Sequence, residues 1–352
     1  MGTRRRRVSV IYFISKLLKW DDLGMEIVSR PTQNEITRAA KALKDGHLVA
    51  FPTETVYGLG ADATNEKAVS RIYSVKGRPT DHPLIVHISS INQLDKWTID
   101  IPEYALMLAS EFWPGPMTLI LKRSSLAKDF ITGGQDNVGV RVPAHPTALA
   151  MLAKFDEAGG HGVAAPSANR FGAVSPTTSA AVDEELGDYL GTGDLILDGG
   201  QSQVGIESTI IDCTNSAPKV LRPGRVTLEM IEAVTTLKFI SSGDEINIKV
   251  SGLLNSHYSP KAQVVLNSLA ISGDGFLAMG NIPTPDGVTR LASPKNIEQY
   301  ARQLYLALRS GDKQGIKRIV VIPPEGDGLA GAIRDRLSKA ESGNLNQFPT
   351  LE

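Results

Sequence analysis

The chain has 352 residues, 41% of them hydrophobic, which is enough for packed cores and longer than one typical domain of roughly 100–200 residues. Its 37 basic and 38 acidic side chains nearly cancel, so no global positive field of the kind that marks a dedicated nucleic-acid-binding protein is present. The single cysteine, Cys213, excludes an intramolecular disulfide and a cysteine-cluster metal site, and it fits a reducing, cytoplasmic location.

The first 24 residues begin with a basic run, Arg4–Arg7, followed by the apolar run Val8–Ile14. This order resembles the start of a secretory signal peptide. Lys16 and Lys19 interrupt it, no small-residue cleavage site follows, and the apolar run is far shorter than the roughly 20 residues that span a bilayer. We therefore interpret residues 1–24 as an extension outside the fold and expect no membrane association.

The next part of the chain alternates predicted helices and strands. Helical spacing of apolar residues predicts helices over Gln33–Asp45 and Glu66–Val75. Apolar runs of strand length predict strands over His47–Thr53 and Leu84–Ile88. Pro52, Gly58 and Gly60 predict a polar, tightly turned loop after the first strand. Residues 76–83 predict a basic, proline-locked loop before the second.

Further strand-length runs are separated by helical patterns, which predicts a mixed α/β domain. The predicted strands are Met117–Leu121, Val138–Val142, Gly162–Ala165, Leu195–Leu197 and Ser208–Asp212, and the predicted helices include Pro102–Phe112 and Thr147–Phe155.

Periodicity is lost between about residues 236 and 262, where serine, glycine and proline recur, and we predict an inter-domain linker there. The pattern that follows predicts a strand over Gly275–Gly280, a helix over Ile297–Leu308, a strand over Arg318–Ile322 and a helix over Leu329–Leu337. The predicted organisation is a domain over residues 25–235, a linker over 236–262 and a small α/β domain over 263–352.

Four cations stand beside glycine or proline residues: Lys76, Arg78, Arg141 and Arg222. If they converge, they form an anion site, because guanidinium groups bond phosphate or carboxylate oxygens bidentately and an ammonium neutralises charge. Each of them taken alone is also compatible with a solvated surface cation. His87, inside an apolar strand, is either a core histidine or a site residue.

Two polar segments follow predicted strands. Ser167 and Asn169 occupy alternate positions after Pro166, so their side chains face the same way if the chain stays extended. The glycine-rich residues 198–209 are compatible with an anion-binding nest of backbone amides or with an ordinary hairpin. Such groups suit a base, ribose or phosphate.

The simple nucleotide and hydrolase motifs do not explain the large domain. The chain has no G-x-x-x-x-G-K-[ST], no H-E-x-x-H and no G-x-S-x-G segment. One G-x-G-x-x-G occurs at residues 326–331, but it follows its strand at a distance and leaves too little chain for a dinucleotide fold. We interpret it as a helix-start turn.

Eight ordered motifs together resemble the YrdC-like family of L-threonylcarbamoyladenylate synthases. They are FPTETVYG at residues 51–58, K-x-R-P at 76–79, PLIVH at 83–87, WPGP at 113–116, R-x-P at 141–143, PSAN at 166–169, G-x-EST at 205–209 and RPG at 222–224. The resemblance runs from about residue 25 to 233. HYSP at residues 257–260 and the small α/β unit resemble the longer, two-domain branch of the family.

The resemblance implies a fold and a reaction. The fold is a large, twisted, open mixed α/β sheet with a concave face, followed by a smaller Rossmann-like α/β domain. The reaction joins L-threonine, bicarbonate or CO2, and ATP into threonylcarbamoyl-AMP and pyrophosphate, for modification of position 37 in tRNAs that read ANN codons. The implied partners are a downstream tRNA threonylcarbamoyl transferase complex and, weakly, tRNA itself.

The family's functional residues carry over by position. Those matching the catalytic signature are Lys76, Arg78, Ser167 and Asn169. Those matching the threonine site are Thr53, His87, Arg141, the backbone at Ala165, and Ser208. Those matching the ATP site are Arg78, His82, Asn137, Ser167, Ser175, Arg222 and Tyr258. No metal ligand is assigned, because we expect Mg²⁺ to be held largely by the phosphates, with Glu54 and Glu207 supporting it only indirectly. We expect Tyr258 to form part of a flap over the site.

Two other readings remain open from the sequence. A concave face lined by the same cations could bind tRNA or double-stranded RNA without making an adenylate, although near-zero net charge argues against it. A carbamoyl-transfer domain of a hydrogenase-maturation protein would carry zinc-finger cysteines that this chain lacks.

Overall fold

The computed structural model describes residues 31–237, 248–252 and 257–345. Its main feature is a nine-stranded mixed sheet with the strand order β7-β1-β2-β6-β3-β5-β4-β8-β9. The strands are β1 (Val49–Phe51), β2 (Gly58–Asp62), β3 (Ile85–His87), β4 (Met117–Lys122), β5 (Asn137–Arg141), β6 (Val163–Ala164), β7 (Leu195–Ile196), β8 (Thr209–Asp212) and β9 (Lys219–Arg222). The predicted α/β class with a large mixed sheet is confirmed.

Helices cover the sheet, and most begin and end close to their predicted bounds. They are α1 (Gln33–Lys44), α2 (Glu66–Lys76), α3 (Leu94–Trp97), α4 (Glu103–Phe112), α5 (Asp129–Thr132), α6 (Pro146–Glu157), α7 (Ser179–Leu186) and α8 (Leu228–Thr235). The pattern did not predict the short helices α3, α5, α7 and α8 or the edge strand β9.

Alternation along the strands separates a buried face from the face that carries the site. In β5, Val138 and Val140 pack into the main core with Val86 of β3. Because successive side chains of a strand point to opposite faces, Arg141 and His87 lie on the other face. The two strands are parallel, and His87 is the direct neighbour of Arg141 in their register.

The predicted loop around Gly58 and Gly60 is wrong: these residues form β2, which pairs antiparallel with β1. Only the residues between the two strands turn. A side chain at Gly60 would place its Cβ 2.7 Å from Val163 Cγ1 and 2.9 Å from Phe51 Cε1. Gly60 therefore makes room for side chains packed across the sheet, which is a packing requirement that resembles a turn signal in the sequence.

The C-terminal part has a separate four-stranded parallel sheet with the order β10-β13-β11-β12. Its elements are β10 (Gln263–Leu266), β11 (Gly275–Leu277), β12 (Thr289–Ala292), α9 (Ile297–Lys313), β13 (Arg318–Val321) and α10 (Leu329–Leu345). Strands β10 and β12 were not predicted. The smaller α/β unit expected from the sequence is confirmed, whereas the predicted extension at residues 1–24 lies outside the described residues.

The two sheets are joined by a packed interface and not only by the chain between them. Ile206 and Val174 belong to the same buried cluster as Tyr305 and Leu304 of α9. Gly205, at a φ of +83°, lies so close to α9 that an added Cβ would be 2.4 Å from Arg302 Cα. This glycine permits α9 to approach the strand-entry segment of β8, where residues of the site follow.

Candidate functional site

A cleft with about 530 Å³ of empty space opens on the face of the large sheet that carries His87 and Arg141. The sequence-predicted residues that line it are Thr53, His87, Arg141, Ala165, Ser167, Ser208, Arg222 and Tyr258. The structure thus brings together Thr53 and Tyr258, which lie 205 positions apart in the sequence.

Arg141 is held by a buried carboxylate. Its Nη2 lies 2.5 Å from Glu54 Oε1 and 3.0 Å from Thr55 Oγ1, and its Nε has no hydrogen-bond partner among the described residues. Glu54 also accepts a hydrogen bond from the Ala144 backbone N–H at 2.9 Å. Glu54 does not line the cleft, but it fixes the guanidinium of Arg141, which does.

Thr53 and His87 line the same cleft as this guanidinium. The Thr53 hydroxyl donates to the Val56 carbonyl at 2.6 Å and so shapes the turn between β1 and β2. His87 Nδ1 is 3.2 Å from the Ile85 carbonyl oxygen. Burial, together with the charge of Arg141, lowers the pKa of His87 to about 3. The imidazole is therefore neutral near pH 7 and can exchange hydrogen bonds with an amine or hydroxyl.

Arg222 supplies a second cation in the lining of the cleft. Its Nε and Nη2 donate to the Ser208 carbonyl at 3.1 and 3.0 Å, and its Nη1 donates to the Ser251 carbonyl at 2.9 Å. Carbonyl oxygens orient a guanidinium without cancelling its charge. Arg222 forms no direct ion pair among the described residues, so its positive charge remains available to an anionic ligand.

Lys76 and Asn169 shape the loop that contains Ser167. Lys76 Nζ donates to the carbonyl oxygens of Ser167, at 2.6 Å, and of Asn169. The Asn169 amide donates to the carbonyls of Arg170 and Ala173 at 2.7 and 2.9 Å. Burial lowers the pKa of Lys76 well below its ordinary value, helped by the charge of Arg78. Neither side chain lines the empty cleft, whereas Ser167 does.

The remaining predicted ATP residues, Arg78, His82, Asn137 and Ser175, do not line the cleft. Arg78 donates to the Pro83 carbonyl at 3.0 Å, and burial lowers its pKa to about 10. The His82 ring contacts Phe171 edge-on at 5.3 Å. Asn137 is the first residue of β5, and buried Ser175 donates to Glu207 at 2.6 Å. The glycine at position 77, with a φ of +62°, ends α2 between the two cations and lets them diverge.

His257 is the lining residue whose place in the site the sequence did not reveal. Its ring contacts the Tyr258 ring at 4.1 Å, and its Nδ1 has no hydrogen-bond partner among the described residues. Burial lowers the pKa of His257 to about 3 and raises that of Tyr258 to about 12. The Tyr258 hydroxyl also has no partner in the described part of the chain. The HYSP motif pointed to this segment but not to two adjacent lining rings.

Neither a metal cluster nor a membrane span is found in residues 31–237, 248–252 and 257–345. No group of three or more histidine, cysteine, aspartate or glutamate side chains there could hold a metal ion. Of the helices described, none is long and apolar enough to cross a bilayer.

Comparison with known proteins adds two family profiles and several relatives. The profile described as "Telomere recombination" matches residues 41–224, and the one described as "Threonylcarbamoyl-AMP synthase, C-terminal domain" matches residues 226–342. The Pyrococcus abyssi threonylcarbamoyl-AMP synthase is 41% identical over 87% of this chain and 94% of its own length. The Bacillus subtilis threonylcarbamoyl-AMP synthase is 38% identical over 88% of this chain and 94% of its own. The crystal structure of Pyrococcus abyssi Sua5 complexed with L-threonine superposes with a TM-score of 0.80 at 39% identity, covering 90% of this chain and 96% of that one.

Proposed function

The chain belongs to the Sua5/YrdC family of threonylcarbamoyl-AMP synthases, and from that premise we propose how its cleft performs the reaction. It is an adenylate-forming nucleotidyltransferase, with ATP as a substrate. The reactants are L-threonine, bicarbonate or CO2, and ATP, and the products are threonylcarbamoyl-AMP and pyrophosphate. The assignment of residues rests on one observation: two cations line the same cleft. They are Arg141, which we assign to the threonine carboxylate, and Arg222.

The threonine half of the site is the surface around Arg141. Its guanidinium lines the cleft and suits the threonine carboxylate, and neutral His87 and the Thr53 hydroxyl suit the amine and the side-chain hydroxyl. The backbone at Ala165 and the Ser208 hydroxyl complete the wall. The relative solved with L-threonine supports this amino acid as the substrate.

The ATP half is the surface around Arg222 and Ser167, with Arg78 close behind it. We assign Arg222 and Arg78 to the phosphates, and His82, Asn137, Ser175 and Tyr258 to the surroundings of the nucleotide. In the reaction, the neutral threonine amine adds to CO2 and loses a proton, which gives a carbamate. A carbamate oxygen then attacks the α-phosphorus of ATP in line as the bond to pyrophosphate breaks. Positioning and charge stabilisation supply most of the catalysis.

Lys76 and Asn169 act through the Ser167 loop in the state described. The Lys76 ammonium bridges two carbonyls of that loop, so loss of Lys76 would displace Ser167 from the wall. This is a positioning role, and it is compatible with the family's K-x-R and S-x-N signatures.

Mg²⁺ would enter with the phosphates of ATP, whose charge it neutralises. The two carboxylates nearest the site are already paired, Glu54 with Arg141 and Glu207 with Arg336. Such pairing fits a metal held by phosphate oxygens and water and not by a cage of protein carboxylates.

Three wider assignments accompany the reaction. The product serves tRNA modification at position 37 through a downstream threonylcarbamoyl transferase complex. The enzyme itself contacts tRNA at most weakly. It acts in the cytoplasm. Residues 25–235 form the catalytic domain, 236–262 the linker and 263–352 the small domain. Tyr258, from the linker, closes the cleft and excludes water from the hydrolysable adenylate.

The test is incorporation of labelled bicarbonate into a threonyl adenylate, with pyrophosphate release measured in parallel. Release should require threonine, bicarbonate and ATP together. Arg141→Ala and Lys76→Ala should each abolish it, whereas Arg123→Ala, which removes an arginine paired with Asp129 away from the cleft, should not. Retained activity in either of the first two variants would refute the assigned site. RNA binding with steep salt dependence and no pyrophosphate release would instead favour an RNA-binding module.

A further inference from the structure

Glu207 is a carboxylate in the wall of the cleft that the proposed reaction does not use. It is 6% exposed, and its oxygens accept hydrogen bonds from Ser175 at 2.6 Å, from Tyr305 at 2.9 Å and from Arg336 Nε at 2.9 Å. Burial alone would raise the pKa of Glu207, but the charges of Arg336 and Arg222 and the hydrogen bonds from Ser175 and Arg336 hold it at about 2. The carboxylate is therefore ionised near pH 7, in a cleft assigned to a triphosphate.

The counter-charge of Glu207 comes from the C-terminal domain. Arg336 lies on α10, is completely buried, and reaches 129 positions back along the chain to Glu207. Its Nη2 donates to the Pro223 carbonyl at 3.0 Å, directly beside Arg222, and its guanidinium lies 5.4 Å from the centre of the Tyr258 ring. A single side chain of the C-terminal domain thus contacts two lining residues, Glu207 and Tyr258, and the backbone next to a third, Arg222.

Tyr305, on α9, supports the same groups from a second direction. Its hydroxyl bonds to Glu207, and its ring stacks on the Tyr258 ring with centroids 5.7 Å apart and an interplanar angle of 23°. Both C-terminal helices therefore converge on Glu207 and Tyr258. Neither Arg336 nor Tyr305 lines the cleft itself.

We propose that Arg336, assisted by Tyr305, is a positioning residue for ATP: it neutralises Glu207 so that Arg222 stays available to the phosphates, and it fixes the ring of Tyr258. Besides Arg336, Arg222 is the cation whose charge also lowers the pKa of Glu207, so it is the one that could compensate the buried carboxylate once Arg336 is removed. An Arg222–Glu207 pair would withdraw that charge from the ligand, and an unpaired Glu207 would repel the phosphates. This inference rests on the proposed function, because it takes the nucleotide of that reaction as the ligand.

The inference predicts a specific loss and a specific rescue. Arg336→Met should weaken binding of magnesium-ATP, measured by titration calorimetry, by about tenfold or more, because close charge pairs at interfaces are typically coupled at that level. Threonine affinity should change by less than about threefold, since the surface around Arg141 is untouched. Adding Glu207→Gln to Arg336→Met should recover most of the lost ATP affinity, because the stranded carboxylate is then removed.

Arg309→Met is the matched control. Arg309 lies on α9 one turn beyond Tyr305, and it joins the same two domains through Glu185 at 3.1 Å and the Val174 carbonyl. Neither of its partners lines the cleft. This variant should lower the urea midpoint of unfolding without changing ATP affinity, which separates loss of interface stability from loss of charge balance in the cleft.

Tyr305→Phe keeps the ring stack and removes one hydrogen bond, so it serves if Arg336→Met does not fold. It should weaken ATP binding about threefold and leave threonine binding unchanged. Equal losses of ATP and threonine affinity in Arg336→Met and Arg309→Met, no rescue by Glu207→Gln, or unchanged ATP affinity in both Arg336→Met and Tyr305→Phe would each overturn the inference. Absence of threonine-dependent pyrophosphate release by the unaltered chain would overturn the proposed function, while the ATP affinities would still decide the role of Arg336.

Discussion

Arg141→Met should abolish threonine binding, because Arg141 is the residue assigned to the threonine carboxylate. It should also destabilise the fold, because Arg141 is the counter-charge of a buried carboxylate. The side chains of Arg141 and Glu54 are 5% and 1% exposed, and their charged atoms are 2.5 Å apart. The Ala144 N–H, 2.9 Å from the second carboxylate oxygen, keeps Glu54 in place. Removal of one partner from such a pair costs about 3–5 kcal/mol of the free energy of unfolding, because the other charge stays buried and unpaired.

The double variant Glu54→Gln/Arg141→Met separates the two consequences. Glutamine keeps the size of Glu54 and an oxygen that can accept from the Ala144 N–H, but it carries no charge. The free energy of unfolding should therefore return to within about 1–2 kcal/mol of the unaltered chain. Threonine binding should not return, because the group that binds its carboxylate is still missing.

Urea unfolding followed by fluorescence gives the stability difference, and titration calorimetry gives the threonine affinity. Arg123→Met is the control, because Arg123 pairs with an Asp129 side chain that is 78% exposed, and exposed pairs contribute under about 1 kcal/mol. The reasoning would be refuted by a double variant as unstable as Arg141→Met, or by an Arg141→Met protein that binds threonine normally.

Three further predictions follow from single features. Tyr258→Ala should raise the fraction of adenylate lost to hydrolysis, measured as the ratio of pyrophosphate released to adenylate trapped, because it removes a buried ring that lines the cleft. Gly60→Ala should lower the free energy of unfolding by about 1–3 kcal/mol, measured in urea, because its Cβ would meet packed side chains at under 3.0 Å. Stability should fall as pH drops from 7 to 5: His87 and His257 have pKa values of about 3 in the fold, so only the unfolded chain takes up their protons in this range. Each should contribute about 2 kcal/mol by pH 5, so His87→Gln should reduce the difference between the free energies of unfolding at the two pH values by about that amount.

Apolar runs were enough to predict the two strands that carry His87 and Arg141. The apolar runs around His87 and Arg141 identified β3 and β5, and the period of two along each strand places both side chains opposite the core. The order of strands was not predictable in the same way. β6 and β2 separate β3 from β1, although β6 follows β5 in sequence, so the neighbours of Thr53 depend on long-range pairing.

Partners of buried charges were the least predictable feature. Glu54 and Glu207 both looked like acidic residues of the pocket, but each is held by an arginine that lies 87 or 129 positions later in the chain. No local pattern specifies such a pair, because burial and the approach of α10 decide which charges meet. The same holds for Lys76, whose ammonium meets backbone carbonyls that are invisible in a motif of side chains.

In the proposed site, the charges around the cleft differ between the threonine half and the ATP half. Glu54 cancels the charge of Arg141 at a direct contact, so the threonine half is close to neutral before the ligand binds. In the other half, Arg222 is oriented by carbonyl oxygens, and Arg336 neutralises Glu207 from behind the wall, which leaves net positive charge facing the cleft. An amino acid carries little net charge and a triphosphate carries several negative charges, so each half matches one substrate. Because the balance of the second half depends on a residue of the C-terminal domain, nucleotide binding should be the step that requires both domains.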